Sequence, residues 1–218
     1  MNAIAESFPF LVEGFINTIW LSICCVVMSI ILGVIIGILR SMNQKVILAI
    51  TKFYITVFRG IPSLVILFLV FFLFPAIGIH ISSFLSAVVG LSLWGSANVA
   101  ESVRGSIQSI TKGQTEASYA LGLNYAQTMR YVILPQATKR ILPSIIGILT
   151  NLIQSTSLTV LIGNVEFLKT AQITMERIEM SGESSVVFIL YTFVLLGYFI
   201  ICYPLSLWSR NLERQLKV

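Results

Sequence analysis

Glu101 and Arg104 stand three residues apart at the end of an apolar run, a spacing that brings opposite charges together on one helical face. An ionisable group at the edge of hydrocarbon is a functional candidate. Glu101 reads as part of a gate, as a structural ion pair with Arg104, or as a contact for a charged ligand. Asn98, one turn earlier, reads either as a ligand contact or as packing. A second polar run, Gln154, Ser155, Thr156 and Ser157, interrupts another apolar stretch behind Asn151. Such groups hydrogen-bond between membrane helices or to a polar solute. His80, the single histidine, lies between Ile79 and Ile81 in a turn, and Cys24, Cys25 and Cys202 sit in apolar runs without metal or disulfide spacing. With no Gly-x-Ser-x-Gly, no paired intramembrane carboxylates and no phosphate-cradling Gly-Lys-Ser/Thr loop, no catalytic residue and no metal ligand is expected.

The elements that position these residues follow from composition. The chain has 218 residues, of which 56% are hydrophobic and 11% charged. A soluble domain carries roughly a quarter charged residues, so most of this chain belongs in a bilayer. The net charge of +5 does not point to nucleic acid if the basic residues gather on one side of a membrane. Residues 1–13 are acidic and lack the basic start of a signal peptide, so the first apolar stretch is expected to stay in the mature protein.

A spanning helix needs about 20 apolar residues, and five stretches qualify: roughly 15–39, 61–79, 84–103, 142–163 and 185–207. Pro62 suits a first helical turn, where its missing N–H would be unpaired anyway. Gly33 and Gly37 form a GxxxG pattern of close helix packing. With the N-terminus outside, Arg40, Lys45, Lys52, Arg59, Arg104, Lys112, Arg130, Lys139, Arg140, Arg210, Arg214 and Lys217 fall inside, and only Lys169 and Arg177 outside. That bias predicts an all-α polytopic bundle of five spans, N-out and C-in, in one domain. Glu6, Glu13, Glu166, Glu176, Glu179 and Glu183 then fall outside. In the outer segment 164–184, Val165, Leu168, Ile173, Met175 and Ile178 predict a short amphipathic helix on the outer mouth.

Between the third and fourth spans lies a hydrophilic stretch containing residues 116–135. Ala117, Ala120 and Leu121 form a small apolar face, with Glu116 placed near a helix start where the macrodipole favours an anion. Gly122 suits a helix end, and Pro135 sets a boundary before the next helix. Small residues allow close approach of another surface. This segment reads either as a docking element or as an ordinary amphipathic loop.

Here the sequence resembles a family. Glu116-Ala117-Ser118, then Gly122, then Val132-Ile133-Leu134-Pro135 resembles the EAA loop of permease subunits of bacterial ABC importers. Phe58-Arg59-Gly60-Ile61-Pro62, the run from Ala100-Glu101 through Arg104-Gly105 to Gln108-Ser109, Lys112-Gly113-Gln114, and Thr156-Ser157-Leu158 with Ile162-Gly163 and Glu166 resemble motifs of the polar amino-acid subfamily, the histidine/glutamine/arginine type. The likeness runs from about residue 10 to the C-terminus.

The resemblance implies a permease in a bacterial cytoplasmic membrane, paired with a second permease copy or paralogue. A separate ATP-binding subunit uses ATP and Mg, and an extracytoplasmic binding protein delivers a polar amino acid. This chain binds no cofactor itself. Glu116, Ala117, Ser118, Ala120, Leu121 and Gly122 would form the coupling helix on the ATPase. Asn98, Glu101, Gln154, Ser155, Thr156 and Ser157 would lie on the substrate path. Relatives often carry Lys-Asp-Thr-Ser where this chain has Gln154 to Ser157, so the carboxylate that would neutralise a cationic amino acid is replaced by Ser155. A secondary transporter would instead need an ion-coupling constellation within its spans, and a non-transporting scaffold would need no coupling to ATP.

Overall fold

The computed structural model of the protein describes residues 2–42, 44–180 and 187–216. Lys217, Glu183 and the first two residues of the 185–207 span lie outside them. The described residues form helices and connections, without a strand. α1 (Asn2–Leu39), α4 (Ser83–Gln108) and α9 (Val187–Leu216) are long single helices. α7 (Leu134–Ser155) is entered through α6 (Tyr125–Thr128) and a π turn over Met129–Ile133. It continues as a 3-10 run over Thr156–Ile162, making one apolar rod over Tyr125–Ile162. Pro135 stands at the start of α7 and marks a change of helix type inside a continuous rod.

Among the described residues, four helices are long and apolar enough to cross a membrane. A fifth crossing exists only if α2 (Lys45–Gly60) and α3 (Ser63–Ala76) count together, and they are bent by 105°. α3 is 14 residues, about 21 Å, against a hydrocarbon core of about 30 Å. The bend follows from Gly60-Ile61-Pro62: Pro62 cannot continue the helix hydrogen bonding, and it caps α3 instead. α2 is a helix of its own where sequence analysis expected only an inward-facing basic connection. α1 is 38 residues long and starts well before residue 15.

α4 is the hub, packing against α1, α2, α3 and α7. Its buried residues include Ser86, Ala87, Gly90, Ser92, Gly95, Ser96, Ala97 and Ala100, small groups that let neighbouring backbones approach closely. The GxxxG pair of α1 uses this surface. A Cβ on Gly33 would lie 2.8 Å from the Ser96 carbonyl, and one on Gly37 2.8 Å from that of Ala100. Hydrogen bonds define the two ends of the bundle. At one end Tyr125 donates to the Ser41 carbonyl, Arg140 to Ser109, and Ser209 to the Pro143 carbonyl. At the other, Asn17 donates to the Val165 carbonyl and Thr18 to Glu166. The first end gathers Arg40, Lys45, Lys52, Arg59, Arg104 and Lys112.

Candidate functional site

α5 (Lys112–Ala120) stands at the basic end. Of its residues Ser118 is buried, at 2% exposure, with its Oγ donating to the Gln114 carbonyl at 2.6 Å. Glu116, Ala117 and Ala120 are exposed, as are Tyr119 and Leu121, the last at 82%. The expected Ala117/Ala120/Leu121 face therefore exists but points away from the bundle, and Ser118 seats the helix. Glu116 lies in the second turn; the first turn holds no acid, so the macrodipole argument for Glu116 does not apply.

Gly122 ends α5 at φ +81°, in the left-handed region that glycine adopts without strain. Its N–H donates to the Tyr119 carbonyl at 2.9 Å and that of Leu123 to the Ser118 carbonyl at 3.1 Å, satisfying the orphan carbonyls of the last turn. Asn124 then opens α6 with a reciprocal cap: its side chain accepts from Gln127 N, and Gln127 Oε1 accepts from Asn124 N, both at 2.9 Å. Gln136 Nε2 donates to Gln114 Oε1 at 3.3 Å, tying α7 to α5. The segment is thus braced from several sides while one of its own faces stays uncovered.

A second group lies where α2 meets α4. Arg104 Nε donates to Glu101 Oε2 at 2.8 Å and its Nη2 to Oε1 at 2.6 Å, a two-pronged pair. Arg59 Nη1 stands 3.6 Å from the same carboxylate. Arg59 Nε also donates to Asn98 Oδ1 at 3.3 Å, and Asn98 Nδ2 donates to the Trp94 carbonyl at 2.9 Å. Asn98 and Glu101 are thereby brought together by Arg59, which sequence analysis had placed only within a motif. Arg59, Glu101 and Arg104 border a cavity of about 590 Å³ that Arg40 and Lys52 also line.

Gln154, Ser155, Thr156 and Ser157 stand elsewhere, at the junction where α7 tightens into the 3-10 run. Thr156 is buried and donates to the Ile153 carbonyl; Ser155 and Ser157 donate back to Asn151 and Gln154. These bonds satisfy the hydroxyls locally and favour the change of helix type. Gln154 is exposed and faces a groove along α9 with Tyr198, Cys202 and Arg210. The sequence-derived path residues thus form two separate groups within this chain.

The model of a family described as the binding-protein-dependent transport system inner membrane component matches residues 8–218. The chain belongs to that family. Its relatives include a probable glutamine ABC transporter permease of Bacillus subtilis, 34% identical over 95% of this chain and 94% of that protein. They also include an L-cystine transport system permease of the same organism, 35% identical over 99% and 90%, and its arginine transport system permease, 32% identical over 99% and 96%. A crystal structure of an amino acid ABC transporter with histidines superposes with a TM-score of 0.85, at 30% identity over 97% of this chain and 96% of that one. A methionine ABC transporter in inward-facing conformations shares the fold at 21% identity, TM-score 0.71, over 94% and 95%.

In this permease one motif residue has a role that its sequence did not reveal. Glu166, expected to fall on the outer side, is fully buried. It caps α8 (Phe167–Glu179), accepting from Leu168 N at 3.1 Å and Lys169 N at 2.9 Å. Tyr198 of α9 donates to it at 2.7 Å and Thr18 of α1 at 3.3 Å. Burial pushes its carboxyl above the ordinary range, while these hydrogen bonds pull the other way. The expected amphipathic helix is α8: Ile178 is buried and Leu168 and Met175 pack against the core, but Phe167, Thr170, Ala171 and Thr174 bury more deeply and Val165 is exposed. A lone acid between Gly163-Asn164 and an apolar run was the available signal for the cap.

Proposed function

We propose that this permease carries a polar amino acid across the membrane, driven by a separate ATPase that docks on α5. The observation that carries this reading is Leu121: 82% exposed, beside a fixed left-handed turn, at the end of a helix anchored by buried Ser118 and by Gln136 while its apolar face stays uncovered. A braced element with an uncovered apolar face is suited to transmit a push from a partner without deforming. In this reading the basic end is cytoplasmic, in keeping with the positive-inside rule, and the N-terminus is outside. Glu116, Ala117, Ser118, Ala120, Leu121 and Gly122 make the coupling element. ATP and Mg are used by the partner, an extracytoplasmic protein delivers the substrate, and a second permease copy or paralogue completes the path.

Asn98, Arg59, Glu101 and Arg104 act as an inner gate, because Arg59 of α2 reaches Asn98 and Glu101 of α4 beside the cavity. Gln154, Ser155, Thr156 and Ser157 contribute to the path nearer the opposite end. Ser155 offers a hydroxyl rather than a charge, which suits an uncharged polar side chain. The amino-acid permeases among the relatives support the substrate class. Reconstitution with an ATPase and a binding protein in proteoliposomes tests the reading. Uptake of a polar amino acid should require ATP; uptake that proceeds on an ion gradient without ATP would overturn it.

A further inference from the structure

The cavity beside Glu101 holds more positive charge than its gate role uses. Arg40, Lys52, Arg59 and Arg104 line it against a single carboxylate, four cations to one anion. Arg59 and Arg104 are engaged with Glu101, and Arg40 Nη1 donates to the Leu48 carbonyl at 3.1 Å. Lys52 has no ion pair or hydrogen bond among the described residues. Like charges gathered this closely repel one another unless an anion joins them.

The helix that carries Lys52 says where that anion comes from. α2 has three faces: buried Thr51 and Ile55 against the bundle, an outward row of Val46, Ile50 and Phe53 that is 71%, 64% and 72% exposed, and Lys45, Lys52 and Arg59 seven residues apart between them. Bent by 105° from α3, it lies near the membrane plane when α3 stands along the membrane normal. An exposed apolar row beside a basic row is the pattern of a helix in the headgroup region. Basic pockets between spanning helices on the cytoplasmic side suit lipid phosphates, and guanidinium forks match their oxygens.

We propose that this cavity seats the phosphate of an acidic phospholipid, with the acyl chains beside the apolar row of α2. A substrate carboxylate shares the oxyanion chemistry and is the competing source. The inference takes only the leaflet from the functional reading above; lipid retention is measured apart from uptake, so the two fail separately.

The test uses the permease complex in nanodiscs of phosphatidylglycerol diluted in phosphatidylcholine, with retained lipid counted by native mass spectrometry. Wild type should retain phosphatidylglycerol, and Lys52→Gln should lower its occupancy about fivefold, the effect of one headgroup-region cation. Lys52→Arg should restore it, and Lys169→Gln, on α8 at the opposite end of the bundle, should leave it unchanged. Equal retention in wild type and Lys52→Gln overturns the proposal. So does an absence of retained phosphatidylglycerol together with saturable binding of inorganic phosphate or an amino acid in phosphatidylcholine alone.

Discussion

Two short helices sit at opposite ends of the bundle and complete their packing in different ways. α8 lies between α1 and α9 with five buried residues, a capping carboxylate that reaches both neighbours, and Phe167 edge-on to Phe15 and Phe193. Its buried face is covered by α1 and α9 of this chain. α5 buries Ser118 alone and leaves Leu121 and Tyr119 in the open, although its ends are fixed by the Gly122 turn and by Gln136. Hydrophobic surface held rigidly and left uncovered marks an interaction site. One helix finishes the fold; the other, in our reading, waits for a partner.

The sharpest way to break this contrast is at Glu166. Glu166→Ala would leave the Tyr198 hydroxyl and two α8 N–H groups without their buried acceptor, costing about 3 kcal/mol. It should lower the thermal midpoint of the purified permease while leaving ATPase association in the surviving folded fraction unchanged. An unaltered midpoint would show that α8 does not depend on this joint. Leu121→Asp should do the opposite. At so exposed a position the fold should change by less than about 0.5 kcal/mol, whereas ATPase association, followed by co-purification, should weaken about thirtyfold as for an interface anchor. Gly122→Asp should be milder, with about 1 kcal/mol of left-handed strain loosening the α5 turn and weakening association several-fold. The smallest effect is on pH dependence. Since burial raises the Glu166 pKa above 4.5, the carboxyl takes up a proton more readily in the folded state than in the unfolded chain. Its contribution is complete below that value and is lost as pH rises through the raised one. Glu166→Gln should flatten the stability profile in the window that opens just above pH 4.5; an unchanged profile would mean the carboxyl titrates alike in the folded and unfolded chain.

Much of this was legible in the residues. Apolar runs revealed the long helices, because hydrocarbon leaves the backbone few alternatives. Gly122 announced a left-handed helix end, and Gly33 with Gly37 announced a close crossing, because each follows from the absence of a Cβ. What stayed hidden depended on partners far apart in sequence. Arg59 joins Asn98 and Glu101 only because the Pro62 break turns α2 onto α4, and no periodicity in α2 alone states that angle. The face that α8 buries, and the burial of Glu166, depend on Thr18 and Tyr198, which no local pattern links. In α5 the apolar positions were read correctly, but their outward direction is set by Ser118 and by the bracing from α7.

ATP-driven uptake by the Leu121→Asp permease, reconstituted with its ATPase and binding protein, tests coupling through α5 most directly. The account predicts a folded, membrane-inserted protein with wild-type thermal stability, little bound ATPase and uptake reduced to background. Full ATP-driven uptake with Asp at that position would contradict it.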